Sequence, residues 1–453
     1  MARIFGTDGV RGLANRDITA TLALELGQAA ARHILSTLPP ERLEDEHKPK
    51  AIIGRDTRVS GEFLSHAIAA GLASAGMDVI RIGVVPTPAV AYLMASGDYD
   101  LGVMISASHN PMPDNGIKFF ARGGFKLDDA VEDQIQALLE SGDWEAPIAD
   151  GVGEIETDPA TADRAYIEHL VAACGTPLKG LRIAVDCANG AASFVGPEAL
   201  REAGADVVVM NASPDGRNIN DDCGSTHPEQ LQAVTVASKA AFGVAFDGDA
   251  DRCLAVDHEG NLIDGDQIMG MLALGLKNEG RLAEDTLVVT VMSNLGLLLA
   301  MKENGIKTVQ TGVGDRYVLE SILANGYQLG GEQSGHLINA HYATTGDGVL
   351  TALMIAREVK RSGKSLKDLT SFVKRLPQTL INVPNVDKNR IDDEELQAAI
   401  RKTEDFLGES GRVLLRASGT EPLVRVMVEA ATQTESDAAA ARLADVVAHR
   451  LAL

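Results

Sequence analysis

One pattern occurs three times in this chain of 453 residues and limits the folds open to it. PKAIIGRD leads through an apolar helical stretch to ASAGMDVIRIG. LRIAVDCANG leads through GPEALREAG to ADVVVM, and TLVVTVMSN leads through GLLLAMKENG to IKTVQTG. Each is a short apolar run, a polar loop, a helix stopped by Gly76, Gly204 or Gly305, and a second apolar run. Glycine just past a helix end is the usual cap, because it adopts the left-handed backbone without a Cβ clash. Strand–helix–strand units imply mainly parallel sheets, and their recurrence at domain scale marks an α/β chain built from similar domains. The boundaries fall near 160, 265 and 378, giving three similar mixed or parallel-sheet α/β domains over 1–160, 161–265 and 266–378. The remainder, 379–453, lacks the unit. It reads strand, helix (394–406), strand, turn, strand and an Ala-rich helix (435–451), a smaller α+β domain.

The polar loops carry the chemistry. In the first domain MISASHNPMPDNGIK opens on the apolar run Leu101–Ile105, which has the length and composition of a buried strand. Ser106 and Ser108 follow it, where a hydroxyl at a sheet edge meets ligands. In an extended segment both would point to one face, so periodicity does not separate them. Ser108 lies nearer the turn at Asn110-Pro111, and Ser106 reads as a structural hydroxyl. Asn115-Gly116 is a strong turn signal and would bring Lys118 back towards His109 and Ser108. Upstream, GTDGVRG offers Asp8 and Arg11 on a glycine-punctuated loop, and arginine suits phosphate.

In the second domain a short apolar strand at 243–246 delivers Asp247, Asp249, Asp251 and Arg252. Carboxylates at i, i+2 and i+4 repel one another unless a cation sits among them. Oxygen-only ligands call for a hard ion such as Mg²⁺. Counted from Asp247, positions 6 and 12 are Arg252 and His258, where an EF-hand needs Gly and Glu. Too few protein ligands for a full cage leave room for a phosphate oxygen. The third domain presents Glu332, Ser334 and His336 in GGEQSGH, a bend suited to sugar hydroxyls. The last domain carries Arg416, Ser418, Gly419 and Thr420 in RASGTEP, with Arg425 beyond, a phosphate cradle without a P-loop lysine.

Composition narrows the partners. The formal charge is −23, which argues against nucleic acid and anionic membranes. A phosphate-binding chain this acidic must concentrate its cations locally. Cys174, Cys187, Cys223 and Cys253 have no metal-ligand spacing and read as reduced thiols. The N-terminus has no apolar leader, and no run approaches the ~20 apolar residues that span a bilayer, so a cytoplasmic protein is expected.

In this order GTDGVRG, SASHNP with NGIK, DGDADR, GEQSGH and RASGTEP resemble the motifs of the α-D-phosphohexomutase superfamily. GTDGVRG and GEQSGH are more similar to its glucosamine branch than to its glucose or mannose branch. The resemblance implies four domains around a central cleft, the fourth able to close over a sugar. Ser108 would be the phosphoserine and would ligate Mg²⁺ together with Asp247, Asp249 and Asp251. Lys118, Arg11 and His109 would share the acid/base and charge-stabilising work, with no choice among them. Glu332 and Ser334 would grip the sugar, with Arg252 and His336 as further substrate contacts. Arg416, Ser418, Gly419, Thr420 and Arg425 would hold the non-reacting phosphate.

The implied reaction interconverts glucosamine 6-phosphate and glucosamine 1-phosphate, a step towards bacterial cell-wall precursors. It would run through glucosamine 1,6-bisphosphate or a related sugar bisphosphate. A homodimer and a priming step by a kinase or by autophosphorylation stay open. Rival readings are a mutase for glucose or mannose phosphates, a phosphatase and a non-catalytic sugar-phosphate sensor.

Overall fold

A computed structural model describes residues 3–6, 8–39, 42, 48–142, 144–418 and 423–453. The chain divides into two compact units, Met1–Val291 with Val309–Thr370, and Met292–Thr308 with Ser371–Leu453.

The larger unit holds three sheets. The first contains β1 (Val10–Leu13), β2 (Lys50–Arg55), β3 (Asp78–Val84), β4 (Leu101–Ile105), β5 (Asp114–Ala121) and β6 (Ile155–Thr157), in the order β1-β5-β4-β2-β3-β6. The helices are α1 (Ala20–Thr37), α2 (Val59–Ser74), α3 (Thr87–Ser96) and α4 (Asp129–Ser141). The second has β7 (Arg182–Asp186), β8 (Asp206–Met210), β9 (Phe242–Phe246), β10 (Cys253–Asp257) and β11 (Leu262–Ile263), in the order β11-β10-β9-β7-β8. Its region contributes α5 (Pro159–Cys174), α6 (Val195–Glu202) and α7 (Glu229–Ala237). The third, ordered β13-β12-β14-β15, comprises β12 (Thr286–Thr290), β13 (Lys307–Thr311), β14 (Leu329–Gly331) and β15 (Leu337–Asn339). Helices α8 (Gly265–Asn278), α9 (Leu295–Glu303), α10 (Asp315–Asn325), α11 (Gly348–Ser362) and α12 (Leu366–Thr370) belong to this stretch of chain, and α9 lies in the smaller unit.

Gly76, Gly204 and Gly305 each sit two residues past their helix at φ +101°, +103° and +65°, as a C-terminal glycine should. The sheets are mixed, one of the two forms the sequence left open. In each, a parallel strand is followed by one that returns antiparallel: β4 by β5, β9 by β10, β14 by β15. The three chemistry-bearing loops are these reversals.

The Asn115-Gly116 turn is not there. Both residues lie inside β5, paired with β1 as Asn115↔Gly12 and Gly116↔Arg11. The chain turns earlier, where Asn110 N donates to Ala107 O and Asp114 N donates to Pro111 O. Asn115 is buried: its Oδ1 accepts from Gly116 N and its Nδ2 donates to Ser60 Oγ. Tertiary hydrogen bonds have overridden a local turn preference.

Apolar faces close on these sheets. Leu26, Ile53, Leu64, Ile68, Leu72, Val103, Ile105, Ile117 and Phe119 form the core of the first. Burial of each such side chain is worth about 1.5–3 kcal/mol. In the smaller unit β16 (Gln378–Pro384), β17 (Arg412–Ala417) and β18 (Leu423–Glu429) make an antiparallel sheet ordered β16-β18-β17, with helices α13 (Glu394–Leu407) and α14 (Gln433–Arg450). Val424, Val426, Val428, Leu396, Leu443 and Val447 are its core. All four cysteines are buried and free. Among the described residues no helix is long and apolar enough to cross a membrane.

Helices α1 and α2 cross with their backbones nearly touching. A Cβ on Gly27 would lie 2.6 Å from Ile68 O, and one on Gly71 would strike Leu24 O. Gly71→Ala is therefore expected to destabilise the fold by about 1–3 kcal/mol through overpacking. Chemical denaturation measures this, and an unchanged midpoint would show that the helices can part freely.

Candidate active site

The geometry starts at Ser108. It stands just beyond β4 with φ +52°, a left-handed conformation that costs about 1–3 kcal/mol in a non-glycine residue. The segment is thus not extended, and the two serines do not share a face. Ser106 Oγ donates to Asp56 Oδ2 at 2.6 Å and accepts from Ser108 N at 2.9 Å, the structural role expected of it. Ser108 Oγ donates to Asp247 Oδ2 at 2.6 Å and lies 3.3 Å from His109 Nδ1.

Asp247, Asp249 and Asp251 leave the end of β9 and are all buried, with one oxygen of each within 4.8 Å of the others. Asp249 Oδ2 accepts from Lys118 Nζ at 2.9 Å and from Thr87 Oγ1 at 2.6 Å. Thr87 N also donates to Asp249 O at 2.9 Å. Asp249 Oδ1 and Asp251 Oδ1 are buried with no hydrogen-bond partner. Buried carboxylates this close together, two of them with an oxygen that has no donor, fit a hard cation, and oxygen donors alone suit Mg²⁺. Burial, then repulsion from Asp251 and Asp249, pushes the Asp247 carboxyl well above its usual range.

Cations ring the triad. Burial works against the charge of Lys118, but Asp249, Asp8 and Asp251 outweigh it and hold the ammonium protonated. Lys118 Nζ is also 3.1 Å from Asp8 Oδ2, and Asp8 pairs with Arg11 and Lys126. Lys126 Nζ continues to Asp315 Oδ2 at 2.7 Å, and His336 Nε2 is 3.6 Å from the same oxygen. His336 Nδ1 faces Asp251 Oδ2 at 3.6 Å. Burial would raise Asp251, yet His336, Lys118 and Arg252 hold it below the normal carboxylate range. His109 goes the other way: burial, then Arg252 and Arg11, lower its pKa to about 4, so its imidazole is neutral at physiological pH.

The loop between β14 and β15 is folded by Gly335 N donating to Glu332 O and Glu332 N to His336 O. Glu332 Oε1 accepts from Gly314 N at 3.2 Å, while Ser334 Oγ is buried without a partner. Gln333 Nε2 reaches Asp266 Oδ2 at 3.2 Å and anchors the loop to the start of α8.

The larger unit thus holds Ser108, His109, Lys118, Arg11, the three aspartates, Arg252, Glu332, Ser334 and His336. Arg416, Ser418 and Arg425 belong to the smaller unit, and Gly419 and Thr420 lie outside the described residues. Arg416 and Arg425 are direct cross-strand partners between β17 and β18. Sequence reading passed over Thr87, Lys126 and Asp315, whose roles come from contacts 162 and 189 residues away. Their only local signal is a polar residue beside a turn or helix start.

Profiles of the phosphoglucomutase/phosphomannomutase family match the chain in order. The alpha/beta/alpha domains I, II and III cover residues 2–146, 164–260 and 264–376, and the C-terminal domain covers 380–449. The chain belongs to this family. Curated relatives called phosphoglucosamine mutase are 62% identical in Bifidobacterium adolescentis, 59% in a Nocardioides species and 56% in Cutibacterium acnes, each over 100% of both chains. Among phosphohexomutases, which are isomerases, the chain therefore groups with the phosphoglucosamine mutases. A phosphoglucomutase/phosphomannomutase family protein from Burkholderia thailandensis superposes with a TM-score of 0.81 at 25% identity, over 99% of this chain and 96% of that one. An Aspergillus fumigatus N-acetylphosphoglucosamine mutase, solved with GlcNAc-6P and magnesium, shares the fold at 21% identity, with a TM-score of 0.68 over 98% and 95% of the chains.

The carboxylate cluster of this phosphohexomutase generates a prediction independent of turnover. Mg²⁺ at a hundred times its dissociation constant should stabilise the chain by about 2.7 kcal/mol and raise its melting temperature. Asp247→Asn should lose that rise, and in EDTA it should melt no lower than the parent, because an amide costs less to bury there than a carboxyl that its neighbours repel. A parent protein whose melting temperature ignores Mg²⁺ would refute the site.

Proposed function

We propose that the chain interconverts glucosamine 6-phosphate and glucosamine 1-phosphate through phosphorylated Ser108. The observation that carries the reading is the Ser108 hydroxyl hydrogen-bonded to Asp247, at the rim of a buried carboxylate triad whose Asp249 and Asp251 each keep an oxygen free of donors. The choice of sugar rests on the relatives of known name, 56–62% identical over their whole length.

Asp247, Asp249, Asp251 and the Ser108 oxygen would hold Mg²⁺, which when bound offsets the charge of ~−2 on phosphoserine. The phosphoryl group leaves Ser108 Oγ for O1 of glucosamine 6-phosphate, and the O1 proton passes to the enzyme. The product is glucosamine 1,6-bisphosphate. After the intermediate turns over, the 6-phosphoryl group passes to Ser108 Oγ, O6 takes back the proton that the enzyme held, and glucosamine 1-phosphate departs. Lys118, held protonated, lies where it can balance charge on the transferring group, with Arg11 and the neutral His109 sharing the proton and charge work. Glu332, Ser334, His336 and Arg252 are read as sugar contacts, and the unpartnered Ser334 hydroxyl favours this. Arg416, Ser418, Gly419, Thr420 and Arg425 are read as holders of the non-reacting phosphate. A sugar bisphosphate would prime the dephosphorylated enzyme, and a cytoplasmic setting suits a sugar-phosphate substrate.

The test is a coupled assay with Mg²⁺ and a trace of sugar bisphosphate. Glucosamine 6-phosphate should turn over faster than the glucose and mannose phosphates, and excess EDTA should stop the reaction. Ser108→Ala should lose nearly all activity. Ser106→Ala should keep far more while costing about 1–3 kcal/mol of stability, since it strips a buried network of its hydroxyl. An active Ser108→Ala enzyme, or phosphate mapped to Ser106, would overturn the assignment. Arg425→Ala should raise KM by the equivalent of about 1.5–3 kcal/mol, the worth of a charge-assisted contact. Unchanged kinetics would remove it from the phosphate cradle.

A further inference from the structure

Arg58 is a large charged side chain with no solvent exposure, placed just before α2. Its guanidinium makes five hydrogen bonds and has no sixth donor. Nε donates to Asp56 Oδ2 at 2.9 Å; Nη1 donates to Pro111 O at 2.5 Å and Asp114 O at 3.0 Å. Nη2 donates to Ser108 O at 3.0 Å and Asn110 O at 2.8 Å. With every N–H engaged, Arg58 has none left for a phosphate oxygen. Its charge is directed at backbone carbonyls of the serine loop.

The same two carbonyls are held by a second side chain. Asn220 Nδ2 donates to Ser108 O at 2.9 Å and to Asn110 O at 3.1 Å. Asn220 comes from the loop before α7, stands at φ +57°, and is tied by its own N–H to Ala188 O, just beyond β7. Gly248, between two of the aspartates, packs into the same point. A Cβ there would come within 2.6 Å of Ser108 O and 2.8 Å of Asn220 Nδ2. The aspartate loop, the Asn220 loop and the serine loop therefore meet at the Ser108 carbonyl. The amide side of Ser108 is tied as well, through Ser106 and Asp56, and Asp56 is the carboxylate that Arg58 holds. These bonds keep Ser108 in its left-handed conformation, and that conformation aims its hydroxyl at Asp247.

We propose that Arg58 and Asn220 are paired positioning residues, gripping the Ser108 and Asn110 carbonyls so that the Ser108 oxygen stays in line for phosphoryl transfer in both half-reactions. This rests on the reading that Ser108 carries the phosphoryl group. The N–H groups of Arg58 and the Asn220 amide are spent on backbone carbonyls and Asp56, so the pair acts on the chemical step and not on substrate capture. An in-line displacement is sensitive to such placement, since a shift of about 1 Å costs on the order of a hundredfold in rate.

The decisive variant is Asn220→Gly, which removes the amide donor and tolerates the positive φ without strain. With the Mg²⁺-loaded enzyme and glucosamine 6-phosphate, kcat should fall about tenfold or more while KM moves less than about threefold, as expected when an alignment and not a binding contact is lost. The ³¹P resonance of the phosphoserine should shift or broaden, with the melting temperature near that of the parent. Arg58→Lys keeps the charge but not the planar fork, and should show the same split more strongly. Parent-like kcat and an unmoved ³¹P line in Asn220→Gly would overturn the proposal, as would a KM rise that accounts for the whole loss. A parent enzyme with no phosphate on Ser108 would instead overturn the functional reading on which it rests.

Discussion

Three carboxylates buried within one small volume repel one another, and the charged groups packed around them answer that repulsion. Two like charges 4 Å apart interact by about 4 kcal/mol at the effective dielectric of a protein site. Asp247, Asp249 and Asp251 contain that interaction pairwise, and burial adds to its cost. Lys118, Arg252 and His336 stand against the triad as the first opposing layer. Asp8 and Asp315 stand behind Lys118 and His336, and Lys126 closes the ring between those two acids. Asp249 and Asp251 thus each meet a cation, while Asp247 accepts from the Ser108 hydroxyl. A cation among the aspartates would complete the innermost layer.

The delivery of these groups follows from one topological device used three times. In each sheet a parallel strand ends, the chain turns, and the next strand returns antiparallel beside it. The turn is the reversal point of the sheet, and there stand the serine loop, the aspartate loop and the loop of Glu332 and Ser334. Ligands in α/β proteins gather outside the carboxyl ends of strands, where helix N-termini and free backbone donors also collect. Asp56 beyond β2 and Ala188 beyond β7 stand at strand carboxyl ends too, as does the Asn220 amide through its bond to Ala188. Rigid strands fix the bases of these loops, and left-handed residues such as Ser108, Ala188, Asn220 and Ala250 shape the turns. Strain concentrated in this way is stable only where surrounding bonds over-determine it. The five bonds from Arg58 do so for Ser108.

Much of this was legible in the sequence because it is local. The repeated strand–helix–strand unit, the three capping glycines and the residue types of the five motifs all rest on neighbours within a few positions. What escaped depends on partners far along the chain. Asn115-Gly116 has the composition of a turn, yet Asn115 finds Ser60 and the strand pairing of β5 decides its conformation. The repeated units left open whether each sheet is parallel or mixed, since a return after a short loop leaves little mark on periodicity. The network from Lys126 to Asp8 and Asp315 spans 118 and 189 residues. An isolated lysine in a glycine-rich turn carries no signal of it.

Charge is allotted differently in the two units. In the larger one Arg11, Lys118, Lys126, Arg252 and Arg58 are each matched by an acid of the same unit. In the smaller one Arg416 and Arg425 face each other across β17 and β18, and neither forms an ion pair with any described residue. Like charges directly opposite on adjacent strands destabilise the sheet. A chain with a formal charge of −23 has acids enough to neutralise such a pair. Among the described residues these two guanidiniums stay unmatched, and a dianion accepting from both would remove their mutual repulsion.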